Sequence, residues 1–249
     1  MKVSVIFLLC MVSLGVADQT DFLFQQGVEA YQNGDYNKAI ENFQDALQLG
    51  DESAALYFNL GNSYYKIDDI ARAIANYERA KKLDSSDEDI AFNLQIAQLR
   101  VVDKIPTPEM DYFFKMWQGF KNNLSLSLLT ILTLGVYGLL VGLIIIKLLI
   151  KNAAIQNSLH FLFTPTIIIF VMTSFLFGLQ IREDLTTQYG VILSAKVAVT
   201  SSPSEDATEV FALHEGVKVR ITARSGDFSR IRLSDGKDGW VSTSALEII

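Results

Sequence analysis

The chain of 249 residues predicts a multidomain membrane protein: an α-solenoid of repeated helix pairs, then two transmembrane helices, then a small all-β barrel. Three observations carry this reading. "GDYNKAIENFQDA", Gly34 to Ala46, returns 34 positions later as "DDIARAIANYERA", Asp68 to Ala80. Two long apolar stretches contain no Asp, Glu, Lys or Arg. Near the C-terminus, "VKVRITA", Val217 to Ala223, alternates apolar and polar residues at the period of a half-buried strand.

The N-terminal "MKVSVIFLLCMVSLGVADQT" has a basic Lys2, an apolar run from Val3 to Val16, and small residues at Gly15 and Ala17. That pattern predicts a signal peptide over residues 1–17, cut near Ala17. Cys10 is the only cysteine. Leu9 precedes it and the apolar run is short, which argues against lipid attachment, and the mature chain is expected to have no thiol chemistry.

The internal repeat extends beyond the quoted segments. Gly27 pairs with Gly61, Tyr31 with Tyr65, Ala39 with Ala73, Phe43 with Tyr77, Ala46 with Ala80 and Leu49 with Leu83. Small residues at fixed places let helices pack closely, and the aromatic ones fill the space between. "DEDIAFNLQIAQLR", Asp87 to Arg100, repeats Phe58-Asn59-Leu60 as Phe92-Asn93-Leu94, but has Gln95 where the glycine would stand. It is expected to cap the stack, because one unit cannot bury its own apolar face. Residues 20–102 are therefore expected to hold two repeats and a capping helix.

A period of 34 is the signature of the tetratricopeptide repeat, and "YFNLGNSYYKIDDIARAIANYERAKKLD" resembles that family's consensus. The resemblance implies a concave surface made by the first helix of each pair. Here it would comprise Phe24, Val28 and Tyr31 from repeat one, and Phe58, Asn59, Asn62, Tyr65 and Lys66 from repeat two. The cap would add Phe92, Asn93 and Arg100. Rings with side-chain amides suit an extended peptide, whose backbone the amides can bond. Asn59 and Asn62 also match the consensus, so a structural role stays open for both. Phe58 stands where family members that clamp a terminal carboxylate carry a base, which argues against such a clamp.

Residues 103–123 read as a neck. Pro106 and Pro108 stop the helix. Tyr112, Phe113, Phe114, Trp117 and Phe120 then crowd the approach to the first span, as aromatics do at a lipid–water boundary. The apolar stretches themselves, Leu124 to Ile146 and Leu159 to Leu179, are long enough to cross a bilayer, the first being roughly 35 Å as a helix. Transmembrane helices are expected over residues 124–150 and 158–180, with a cytoplasmic loop, residues 151–157, between them. Lys147 and Lys151 without an acid suit that side, although Lys115 and Lys121 flank the other end. With the leader, two spans put both folded regions outside the cytoplasm, which in a bacterium means an inner-membrane protein with periplasmic domains.

After the second span, Asp235-Gly236 and Asp238-Gly239 read as tight turns and Ser201 to Ser204 as a loop. The segment 190–249 resembles a bacterial SH3-like domain in "LHEGVKVRI", "GDFSRIRLSDGKDGWV" and "SALEII". Its early part departs from that pattern at Ala198, Thr200 and Ser202-Pro203. Phe228 and Trp240 offer aromatic surface for a peptide, and Trp240, after a Gly turn, is expected in the core.

Charge excludes some functions. Asp18 to Lys115 holds 18 acids against 9 bases, and Glu183 to the end holds 10 against 7. An acidic surface repels phosphate backbones, so no nucleic-acid partner is expected. The two histidines, His160 and His214, sit in no nucleophile motif, and no cluster has metal-ligand spacing. No catalytic residue, cofactor or metal is expected, and the chain does not read as an enzyme.

The order of parts resembles the BatE branch of the Bat family, bacterial aerotolerance-operon proteins. That resemblance implies partners among Bat membrane proteins with von Willebrand factor A domains, a MoxR-type ATPase, and a link to envelope stress and oxygen tolerance. An alternative expectation is a wall-binding or wall-sensing protein, with the SH3-like domain on peptidoglycan.

Overall fold

A computed structural model describes residues 19–50, 52–106, 111–122, 124, 126–150 and 152–249. The expected leader with Cys10, Pro108, Lys151 and the side chains of Phe114 and Lys121 lie outside the described residues. Two compact units result: residues up to 109 together with 188–249, and residues 110–187.

The first unit begins with five helices: α1 (residues 19–32), α2 (Tyr36–Gln48), α3 (Ala54–Lys66), α4 (Ile70–Leu83) and α5 (Glu88–Leu99). Their starts obey the same period as their cores. Asp35 accepts a hydrogen bond from Lys38 N and Asp69 from Arg72 N, both at 3.0 Å. Ser53 accepts from Leu56 N at 3.3 Å, and Asp87 from Ile90 N at 3.1 Å. Each such cap satisfies a backbone donor that the first helical turn leaves orphaned. The period recurs in a turn as well: Gly34 has φ +79° and its counterpart Asp68 has φ +69°.

Packing follows the predicted small and aromatic positions. Ala39, Phe43 and Ala46 of α2 and Ala73, Tyr77 and Ala80 of α4 are buried. A Cβ on Gly61 would meet the Tyr77 ring at 2.7 Å, and one on Gly27 would overlap the Phe43 ring. The glycines are there because the aromatic ring of the following helix occupies the space.

The C-terminal part of this unit is a seven-stranded antiparallel sheet: β1 (Gln188–Ile192), β2 (Lys196–Thr200), β3 (Glu209–His214), β4 (Lys218–Ser225), β5 (Phe228–Arg232), β6 (Asp238–Ser242) and β7 (Leu246–Ile248). Strand order is β3-β2-β6-β5-β4-β1-β7. Inward residues from both ends of that order, Leu213 and Leu246, share one core with Val199, Val219, Ile231 and Val241. The sheet therefore curls around its own interior.

Two local expectations are corrected. Asp238-Gly239 is not a turn but the start of β6. Gly239 is needed where β6 crosses β2, since a Cβ there would lie 2.5 Å from Val199 Cγ1. Trp240 is half-buried beside β2, outside the barrel core, because alternation along β6 turns Gly239 and Val241 inward instead.

Repeats and barrel, separate in the sequence, pack into one body. Val191 of β1 is fully buried within the repeat core, and Leu193, Val101 and Ile249 pack against the same cluster. Arg79 of α4 reaches Glu247 and the carbonyl of Ile248, both at 2.5 Å. Glu78 meets Lys218 at 2.7 Å. Asp103, in the link after α5, accepts from His214 N at 2.6 Å and faces its Nδ1 at 3.1 Å. Gly216, at φ +83°, sits where a Cβ would lie 2.8 Å from Val101 and 3.2 Å from Ile74.

The second unit holds α6 (Tyr112–Asn122), α7 (Leu126–Leu149) and α8 (Ala153–Thr186). Two 24-residue segments, Leu126–Leu149 and Leu159–Arg182, have mean hydropathy 2.5 and 2.1 and are long and apolar enough to cross a membrane. They pack side by side, with Tyr137 and Phe170 rings 6.0 Å apart. α8 starts at Ala153, so most of the expected loop is its first turn, and it runs through Pro165. Hydroxyls of Thr164 and Thr166 bond the carbonyls of His160 and Leu162 around that proline. Tyr112, Phe113, Trp117 and Phe120 of α6 are exposed.

Candidate functional site

Five of the eleven residues expected on the concave surface line one recess of about 190 Å³: Tyr31, Asn62, Tyr65, Lys66 and Asn93. They come from α1, α3 and α5, the first helix of each repeat and the cap. Helices two or more turns long present residues three and four apart on one face, so Asn62, Tyr65 and Lys66 share a surface.

The floor is a hydrogen-bonded cluster. Asn62 Oδ1 accepts from the Tyr77 hydroxyl at 2.7 Å and from Asn93 Nδ2 at 2.8 Å. Burial pushes the Tyr77 hydroxyl far above its ordinary range, with the neighbouring Tyr31 and Tyr65 adding to the effect, so it stays a donor. Repeat one has Val28 and Phe43 at the positions of Asn62 and Tyr77. An apolar pair in one repeat is thus a polar pair in the next, at the same place.

At the rim, Arg100 pairs with Asp68 at 2.5 Å and its guanidinium lies 5.7 Å from the Tyr65 ring centroid. That Asp68 partner raises the Arg100 pKa. Lys66, which also lines the recess, is exposed. Phe92, on α5, is 60% exposed, a large apolar side chain with no cover.

The remaining expected residues point elsewhere. Phe24 and Phe58 stack on Phe43 and Tyr77, with centroids 5.8 and 6.0 Å apart. Val28 packs against the repeat core. Asn59 donates to Ala55 O at 2.8 Å, within its own helix. Sequence reasoning missed Tyr77 and Ile96, which also line the recess. Tyr77 was legible: it carries a hydroxyl where its counterpart Phe43 has none. Among the described residues no group of His, Cys, Asp or Glu has the arrangement of a metal site.

Residues 24–88 match the tetratricopeptide repeat family, and residues 196–247 match the bacterial SH3 domain family. No curated protein matches the chain. Among solved structures, an Arabidopsis OM64 TPR domain is 18% identical, over 34% of this chain and 69% of that one, with a TM-score of 0.33. The first TPR of Spaghetti (RPAP3), bound to an HSP90 peptide SRMEEVD, is 14% identical over 33% of this chain and 92% of that one, with a TM-score of 0.23. The chain thus joins a tetratricopeptide-repeat region and a bacterial SH3-type sheet to two helices apolar and long enough to cross a membrane.

Proposed function

We propose that this protein is a non-enzymatic, membrane-anchored adaptor whose repeat surface holds an extended segment of a partner protein. The observation that carries this is the recess between α1, α3 and α5, with Asn62 and Asn93 at its floor, Tyr31 and Tyr65 as walls, and Lys66 at the rim. Amides and ring faces together match an extended backbone with apolar side chains. Phe92 extends the apolar surface beyond the recess. Eight of the eleven residues named for this surface divide accordingly. Lys66, Tyr65, Asn93 and Phe92 are the contacts, while Phe24, Val28, Phe58 and Asn59 hold the helices that present them.

The order of parts supports a place in a Bat-type envelope-stress complex, with von Willebrand factor A-bearing membrane proteins and a MoxR-type ATPase as partners. In that setting the expected leader and the two apolar helices support a periplasmic position for the repeats and barrel. The match of residues 196–247 to bacterial SH3 domains supports a second reading, in which the barrel binds peptidoglycan and the repeats recruit a remodelling enzyme. Purification of the tagged full-length protein in mild detergent separates the two. Recovery of von Willebrand-type proteins with an ATPase supports the adaptor, whereas recovery of peptidoglycan fragments alone supports wall binding.

A further inference from the structure

The stretch without acids is longer than the two spans. No Asp or Glu occurs between Asp111 and Glu183, although the whole chain carries 28. Glu183 follows directly on Arg182, the last residue of the second span. At the other end the acids stop one residue before α6, not at the start of α7. An anionic lipid surface repels carboxylates and attracts Lys, and α6 holds Lys115 and Lys121 with no acid. By composition α6 belongs with the membrane segments.

α6 is also amphipathic. Tyr112, Met116 and Phe120 recur every four residues, and Phe113 and Trp117 form the adjacent row, while Lys115 falls off both. Five large apolar side chains thus share one stripe along the whole helix. All five are exposed, Tyr112 by 73% and Phe113 by 72%. Soluble monomers seldom leave an apolar patch of that extent in water.

Packing within the second unit fixes the level of this helix. Tyr137 and Phe170, whose rings meet, stand at the midpoints of Leu126–Leu149 and Leu159–Arg182. Toward one end of the pair, Leu129 and Leu179 lie roughly 12–14 Å along from those rings, at about 1.5 Å per residue. Both border a small recess together with Leu176 of α8 and with Trp117 and Phe120 of α6. Half the hydrocarbon thickness of a bilayer is about 15 Å. The C-terminal half of α6 therefore rests at the hydrocarbon edge.

We propose that α6 lies flat on a lipid surface, its aromatic stripe between headgroups and acyl chains and Lys115 directed to the phosphates. An upright helix would carry Tyr112 roughly 7–8 Å beyond Trp117 and leave the far end of the stripe in water. A flat one buries the stripe over its whole length, as interfacial amphipathic helices do. Continuity favours lipid over a protein as the cover. Leu179, which borders the recess, is itself exposed on the span, so the stripe extends the surface that the span turns to lipid. This inference rests on the membrane-anchored reading of α7 and α8, and adds a surface-bound contact to the two that cross.

Depth-dependent quenching of tryptophan fluorescence tests it, with full-length protein in phosphatidylcholine–phosphatidylglycerol vesicles. The acyl chains are brominated either near the headgroup or near the methyl end. Trp117 and Trp240 are the two tryptophans, so Trp240→Phe leaves Trp117 as sole reporter. On that background, Trp117→Phe with Phe113→Trp moves the reporter to the other end of α6. Trp117→Phe with Tyr137→Trp moves it to the middle of the first span. Expected is stronger quenching by the shallow bromines at positions 113 and 117, equal within about twofold, and by the deep bromines at position 137. Quenching at 117 and 137 with none at 113 overturns the flat helix and leaves the anchor standing, whether position 113 then emits as a ring in water or as one covered by a second copy. Stronger deep than shallow quenching at 113 overturns it as well. No quenching at 137 overturns the anchored reading, and this proposal with it.

Discussion

Gly216→Ala should loosen the barrel from the repeats. Gly216 has φ +83°, and its own N–H bonds Ile192 O at 2.8 Å, so the turn cannot relax to a negative φ without losing that bond. A side chain in the left-handed region costs about 1–2 kcal/mol. The added Cβ would also lie 2.8 Å from Val101 Cγ2 and 3.2 Å from Ile74 Cδ1, both on the repeat side. Overpacking of this kind costs roughly 1–3 kcal/mol, giving a total of about 2–5 kcal/mol. Two effects are mixed there, one in the turn and one across the junction, and Val101→Ala separates them. In the double variant the junction part should be relieved, leaving a coupling of about 1–2 kcal/mol between the two positions. The assay is urea unfolding of the full-length protein carrying Trp117→Phe. Trp240 then reports the barrel by fluorescence, and helical circular dichroism reports the repeats. In the parent protein the two signals should change together, and in Gly216→Ala the Trp240 transition should come first. Midpoints unchanged in Gly216→Ala, or no coupling with Val101→Ala, would refute the shared-core account.

Three further substitutions test other parts. Asp68→Gly should stabilise the repeats by about 0.5–1 kcal/mol, because glycine adopts the φ of +69° without strain and the exposed pair with Arg100 contributes little; a lowered melting temperature would count against it. Asn62→Ala should destabilise them by about 1–3 kcal/mol, by leaving the buried Tyr77 hydroxyl without its acceptor, so this residue serves the groove mainly by building it. Asn62→Ala with Tyr77→Phe should recover most of that loss, and failure to recover would show that the hydrogen bond is not the cause. Arg79→Ala should cost about 1–3 kcal/mol in the same Trp240 assay, having removed the bonds to Glu247 and to the Ile248 carbonyl; an unchanged Trp240 midpoint would mean the ion pair adds nothing to docking.

The helical part of the fold was legible because its regularity is covalent. A period of 34 sets Gly61 against Tyr77 and Gly27 against Phe43, and the same arithmetic takes Asp35 to Asp69 and Ser53 to Asp87. The capping residues follow from the period, although only the apolar ones attract the eye. In the barrel, Val219 and Ile221 showed their inward face by alternation, but Gly239 did not show whether it made a turn or a crossing. Both uses need the absence of a Cβ, and only the approach of Val199 from a distant strand decides between them. Docking was not legible at all. Val191 looks like any strand valine, and nothing local says that it completes the core of helices more than a hundred residues earlier. The same holds for the candidate site. Tyr65, Lys66 and Asn93 could be placed from the repeat, whereas the partners of Asn59 and Asn62 are set by side-chain torsions that no spacing encodes.

The central claim is that the concave face of the repeats holds a partner segment, and photo-crosslinking tests it most directly. A photoreactive residue in place of Lys66 or Phe92, both exposed and both assigned to that face by the proposal, is compared in intact membranes with one in place of Lys82, exposed on α4. Crosslinks from positions 66 and 92 to one stretch of a von Willebrand-type membrane protein, absent from position 82, are the predicted result. Equal crosslinking from position 82, or none from positions 66 and 92 in a protein that still copurifies with its partners, would contradict the account.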